Sequence, residues 1–161
     1  LGIAIAQVPL LVVCAWIAMV HPVLVLARKI SAQWTAVVGG FILAAWDFFI
    51  DPQMVDAHQW HWKVRGPALP FYSAIPLSNF LGWFLAGIAL IALLNRALPR
   101  ERRKKGASLF LIEIWMAWVL FSQVIGNLFF FHHIGVGLLG GVLLGAPFLT
   151  YLYQSRTSET F

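Results

Sequence analysis

The chain has 161 residues, of which 61% are apolar and only 11% charged, and its mean hydropathy is +0.83. A soluble domain carries about 25% charged residues, so this composition excludes a soluble globular protein and points to one that resides in a bilayer. The net charge of +5 then reads as topology rather than as a nucleic-acid surface, and the single cysteine, Cys14, excludes an internal disulfide or a cysteine-built metal site.

Hydropathy divides the chain into five segments of about the 20 residues that a bilayer requires. The expected fold is all-α, a polytopic transmembrane helical bundle of about five membrane helices forming a single transmembrane domain over 1–161. The first segment spans about 2–26, with Pro9 and Pro22 as candidate kinks, and the second about 34–50, with Gly39 and Gly40 allowing close packing. An outer-face loop over 51–76 leads to the third segment, about 77–98. A basic loop over 96–106 precedes the fourth, about 107–125, and the fifth spans about 128–153. The fifth carries a stripe of small residues at Gly135, Gly137, Gly140, Gly141 and Gly145, the usual mark of a helix–helix interface.

Charge sets the expected orientation. Arg28 and Lys29 follow the first segment, Arg96, Arg100, Arg102, Arg103, Lys104 and Lys105 the third, and Arg156 the fifth; only Lys63 and Arg65 fall on the other side. The positive-inside rule therefore makes loops 27–33 and 96–106 and the C-terminus cytoplasmic, in a multi-pass protein expected in a bacterial or archaeal cell membrane. The run Pro99–Lys105 also suits anionic lipid head groups, although topology alone accounts for it.

Polar chemistry concentrates in the stretch from Trp46 to Trp83. Asp47 and Asp51 are one helical turn apart and so share a face. Carboxyl groups at membrane depth are costly and usually face a cavity or a partner, and a carboxylic acid held neutral beside an apolar ligand is a proton donor. Pro76, Ser78 and Asn79 open the third segment with ordinary helix-start chemistry, but Asn79 falls just inside the helix, where its amide can face the aspartates. Gln123 and Asn127, a turn apart near the outer end of the fourth segment and followed by His132 and His133, can position water or hydrogen-bond a carboxyl group. Glu113 lies within the fourth segment, where it faces a site or pairs with Arg103 or Lys104. His58 and His61, with Asp56, match no strong metal pattern, and no metal or cofactor is expected. Trp34, Trp60, Trp62 and Trp83 sit near segment ends, as aromatic belts do, whereas Trp16, Trp46, Trp115 and Trp118 lie deeper, where they can line a site for a flat or polyene ligand. No phosphate loop, nucleophile elbow or H-E-x-x-H motif is present, which leaves nucleotide chemistry, serine hydrolysis and zinc proteolysis unsupported.

The wording WDFFIDPQMV, a Trp-rich loop and IPLSNFLGWFLAG resembles the CruF-type carotenoid 1,2-hydratases, within the membrane family described as carotenoid biosynthesis proteins. PLLVVCAWIAMVHPVLVLAR and NLFFFHHIGVGLLGG extend the resemblance over nearly the whole chain. It implies acid-catalysed addition of water to the terminal C1–C2 double bond of an acyclic carotenoid, without a redox cofactor. It makes Asp47 and Asp51 the acid and its partner, and Asn79, Gln123 and Asn127 the groups that orient water. Trp46, Trp60, Trp62, Trp83 and Trp118 become the aromatic walls that contact the polyene and stabilise a cation.

Relatives also carry an upstream portion with further helices, which this chain is expected to lack, and many have Glu where Gln123 stands. Those two departures motivate the alternative reading, a non-catalytic carotenoid- or lipid-binding membrane subunit working with other membrane subunits in a larger photosynthetic or respiratory complex.

Overall fold

The computed structural model describes residues 4–5, 8–98 and 109–157. Among them, five helices are long and apolar enough to cross a membrane: α1 (Leu10–Ile30), α2 (Thr35–Asp56), α3 (Leu77–Ala97), α4 (Phe110–Ile125) and α5 (Ile134–Thr157). Before α1, the two-residue strands β1 (Ala4–Ile5) and β2 (Val8–Pro9) pair antiparallel. Between α2 and α3, β3 (Ala68–Leu69) pairs antiparallel with β4 (Tyr72–Pro76). The chain is a multi-pass α-helical membrane protein.

The bundle is organised around α2. Before Asp47 this helix is apolar on all sides, a pattern that suits a fully surrounded helix, and its buried residues run almost without a break from Gly39 to Pro52. It packs against α1, α3 and α5. The contact with α3 is closest at Gly40, where a Cβ would lie 2.7 Å from both the Ile88 backbone nitrogen and its Cγ1. Opposite it, a Cβ on Gly87 would lie 2.9 Å from Gly40 Cα. Small residues let two backbones meet in this way, and van der Waals packing is what holds helices together in lipid. On α5, Gly140 accepts the ring of Phe49, which a Cβ would approach to 2.7 Å.

The basic ends of α1 and α3 meet directly. Arg28 donates from Nε to Asn95 Oδ1 at 2.7 Å and from a terminal nitrogen to the Leu98 carbonyl at 2.7 Å. A cation there satisfies carbonyls at the C-terminus of α3 and complements its dipole. The contact also places the ends of α1 and α3 on one side of the bundle.

Several boundaries differ from the hydropathy reading. The first helix starts at Leu10, and Pro9 lies in β2, so only Pro22 is inside it. The second does not stop at 50: it continues through Asp51 and Pro52 to Asp56, because the packed neighbours hold the backbone helical although Pro52 supplies no N–H. The connection between the second and third helices is correspondingly shorter than 51–76 and contains the β3–β4 hairpin. The fourth helix continues beyond 125 as a π-helical turn, Gly126–Phe130, and the fifth begins at Ile134, not 128, and runs to Thr157. Pro99–Lys105 and residues 107–108 lie outside the described residues, as do the last four.

Candidate functional site: an acid-floored aromatic pocket

Asp47 and Asp51 occupy one stripe of α2 together with Ile50 and Met54, the spacing that puts four residues on one helix face. Facing them on α1 are Val12, Ala15 and Trp16, also at helical spacing. Trp83 from α3 and Trp60 from the connection after α2 complete a pocket of about 190 Å³, with Trp46 alongside. Its lining is almost wholly apolar apart from the two carboxyl groups, which are both buried and close enough to interact directly.

The aromatic wall is ordered by ring contacts. Trp16 stacks on Trp83 with centroids 4.5 Å apart and meets Trp46 edge-on at 5.7 Å. Two stacked indole faces beside buried carboxylates form a surface of negative potential suited to a developing carbocation.

Asn79 does not point at open space. Its amide donates to Asp51 Oδ2 and so joins α3 to α2. The Asn79 side chain also borders a second, more open pocket of about 500 Å³ lined by Trp62, Pro76, Ser78, Gly82, Trp83 and Ala86. Trp83 lines both pockets, and the Asn79–Asp51 bond joins a lining residue of each.

The other expected site residues separate into different places. Trp46, Trp60 and Trp83 line the enclosed pocket, whereas Trp62 lines only the open one. Trp118 is 60% exposed on the outward face of α4, next to Phe121; in a helix apolar all round, sequence does not reveal which face turns inward. Gln123 accepts a hydrogen bond from Gln53 Nε2 at 2.7 Å, on a different face of α2 from the aspartates. Asn127 is fully buried and donates to the Gln123 carbonyl at 2.9 Å. These two residues tie α4 to α2 and to the π-helical turn, and they do not border the aspartate pocket. Glu113 accepts from the buried Tyr151 hydroxyl at 3.0 Å; Arg103 and Lys104, its expected partners, lie outside the described residues.

A second polar cluster, not expected from the sequence, closes the end of the bundle near the pocket. Tyr72 donates to Asp56 Oδ1 at 2.5 Å, and His133 Nε2 contacts Asp56 Oδ2 at 2.6 Å. The Tyr72 and His133 rings meet edge-to-face at 5.0 Å. Burial first, then the hydrogen bond to the Asp56 carboxylate, raises the Tyr72 phenol above its ordinary pKa. The cluster links the end of α2, the β3–β4 hairpin and the start of α5. Asp56 is thus engaged by Tyr72 and His133 rather than by His58 and His61.

Fold and site together define a multi-pass membrane protein with a small apolar pocket that holds two interacting acids against stacked indoles. The chain belongs to the carotenoid biosynthesis protein family, whose sequence model matches residues 1–147. That membership gives it a role in carotenoid biosynthesis, with a carotenoid or related polyene as substrate. No curated protein and no solved structure matches the chain.

Proposed function

We propose that the protein hydrates the terminal C1–C2 double bond of an acyclic carotenoid, as a carotenoid 1,2-hydratase of the CruF type. The observation that carries this reading is the Asp47–Asp51 pair at the floor of the tryptophan-walled pocket. A pocket of about 190 Å³ is smaller than the roughly 300–1,000 Å³ of sites that enclose whole drug-sized ligands. It suits one end group, with the rest of the polyene lying along the lipid-exposed bundle surface.

The reaction needs an acid, a cation stabiliser and a base. Asp47 delivers a proton to C2 as the π electrons form the C2–H bond, leaving a tertiary cation at C1. The faces of Trp16 and Trp83 stabilise that charge without offering a nucleophile. A water oxygen donates a lone pair to C1 and gives up a proton to Asp51. Asn79 supports this role because a donated amide N–H favours a carboxylate as acceptor. Proton exchange between the interacting carboxyl groups restores Asp47, so water is the only co-reactant consumed.

The basic ends of α1, α3 and α5, marked by Arg28 and Lys29, Arg96 and Arg156, face the cytoplasm in this reading by the positive-inside rule. The aspartate pocket then opens toward the outer half of the membrane.

The test is pigment analysis of cells that make an acyclic carotenoid and express the full-length protein or its Asp47→Asn variant. The expected result is a 1-hydroxy carotenoid with the native protein and at least a roughly 100-fold lower product-to-substrate ratio with the variant, the usual scale of a lost general acid. An unchanged pigment profile with the native protein demonstrably in the membrane overturns the reading and favours a non-catalytic pigment-binding subunit.

A further inference from the structure

Hydration joins two reactants that arrive from different phases, a hydrocarbon from the bilayer and water from outside it. The enclosed pocket suits the hydrocarbon, because its lining is almost wholly apolar and Asp51 within it is buried. The open pocket of about 500 Å³ suits the water, with far more room than one water molecule needs. Ser78, Gly82 and Ala86 line it at every fourth residue down one face of α3, and all three are exposed. A Cβ on Gly82 would meet nothing within 4 Å, so these small side chains leave a furrow that runs about 12 Å along the helix. Trp62 borders the same pocket from the connection after α2. Every residue over 61–67 in that connection is exposed, and Lys63 and Arg65 carry charges that belong in water.

Asn79 connects this pocket to the chemistry. It lines the open pocket, and its amide donates to Asp51, which lines the enclosed one. Rotation of this one side chain exchanges its amide for a water on the Asp51 carboxylate. Ser78, one residue earlier, adds a hydroxyl that both donates and accepts and so can hold a water on the approach.

We propose that the open pocket is the water entrance to the acid pair, with Asn79 as its gate, while the polyene end occupies the enclosed pocket. The two reactants then bind together without competing for one volume. The role of this water as a reactant rests on the hydratase reading; the presence of water along α3 up to Asp51 does not.

The test uses the full chain in lipid nanodiscs, with the exposed Cys14 replaced by alanine so that each introduced cysteine is the sole thiol. Gly82→Cys and Ala86→Cys place a thiol in the furrow. Leu81→Cys and Leu85→Cys place one at nearly the same depth on α3, at exposed positions outside it. A charged methanethiosulfonate reacts with the thiolate, which forms where water reaches, so each furrow cysteine is expected to label at least roughly tenfold faster than its neighbour in one or both pairs. Equal rates within both pairs overturn the proposal, because lipid or a second copy of the chain then fills the furrow.

A second arm reads the reaction. Gly82→Phe puts a ring into the furrow, whereas the single methyl of Gly82→Ala leaves most of the volume open. In cells that make an acyclic carotenoid, Gly82→Phe is expected to lower the product-to-substrate ratio about tenfold and leave the amount of carotenoid that co-purifies with the protein unchanged, the mark of a lost reaction step with intact substrate binding. A folded Gly82→Phe chain that keeps the native ratio overturns the proposal, because water then enters elsewhere. Should that variant fail to fold, the labelling pairs decide alone. Fast labelling of the furrow cysteines in a chain that forms no hydroxylated pigment removes the hydratase reading and leaves the water-filled approach to Asp51 standing.

Discussion

Asn79, in the first turn of α3, donates its side-chain amide to the Asp51 carboxylate on α2. One bond thus fixes both a catalytic candidate and the α2–α3 contact beside it. Replacing Asn79 by Leu keeps the side-chain size and removes the donor. A lost hydrogen bond to a charged group is worth about 1.5–3 kcal/mol, which predicts a roughly 10- to 100-fold lower rate of product formation. The measurement is the initial rate of hydroxy-carotenoid accumulation in membranes with equal protein content. A rate within twofold of the native protein would show that the Asn79–Asp51 bond serves only to join α3 to α2.

The contact between Asp47 and Asp51 makes a further demand. Groups that act as a unit are strongly non-additive when removed together. Asp47→Asn and Asp51→Asn are each expected to abolish most turnover, and the double variant should be hardly worse than either alone. Rates that multiply, one loss on top of the other, would mean that the two carboxyl groups work independently.

Much of this arrangement is legible in the chain itself. Five apolar stretches dictate five helices, and the spacing of Asp47 and Asp51 dictates a shared face. What remains hidden is where apolar helices turn. Trp16 and Trp118 look alike in sequence, yet one stacks on Trp83 in the pocket and the other is exposed on α4. The continuation of α2 past Pro52 is hidden for a related reason: proline reads as a stop locally, and only the neighbours packed around the helix carry it on. The Tyr72–Asp56–His133 cluster joins residues far apart in the chain, with no local spacing that announces it.

Gln123 illustrates the same point and carries its own prediction. Its partner is Gln53, not an aspartate. Gln123→Leu should therefore lower stability by about 0.5–2 kcal/mol, the range for an interhelical hydrogen bond in a membrane protein, and leave the product-to-substrate ratio per folded protein unchanged. Thermal aggregation of the detergent-solubilised protein and pigment analysis in parallel separate the two effects. A large fall in the ratio at unchanged stability would return Gln123 to the reaction.

The closest approach of α2 and α3 predicts a stability effect with an internal control. A Cβ on Gly40 meets backbone as well as side chain, so Ile88 cannot simply move aside. Gly40→Ala is expected to destabilise by about 1–3 kcal/mol, as overpacking does, and to lower activity by shifting Asn79 away from Asp51. A Cβ on Gly82, farther along α3, meets nothing within 4 Å, so Gly82→Ala should behave as the native protein. Equal melting temperatures for all three chains would contradict the close packing.

At the end of the bundle, Asp56 accepts from Tyr72 at 2.5 Å and contacts His133 at 2.6 Å. The hairpin is thereby held to α2 and α5 next to the connection that carries Trp60. Tyr72→Phe removes one donor and is expected to cost about 0.5 kcal/mol, the lower end for a hydrogen bond, because the site is accessible to water. The larger expected effect is local: faster hydrogen exchange over 57–76 with little change in α2. The pH dependence follows from the raised Tyr72 phenol. A group whose folded pKa lies above its unfolded value of 10.0 stabilises the fold fully below that value, and the contribution is lost as pH rises through the folded one. Native hairpin protection should therefore persist to neutral and mildly alkaline pH and weaken only above about pH 10, whereas Tyr72→Phe should lack that alkaline step. Identical exchange and identical alkaline behaviour in the two chains would show that the Tyr72 hydroxyl does not hold the hairpin.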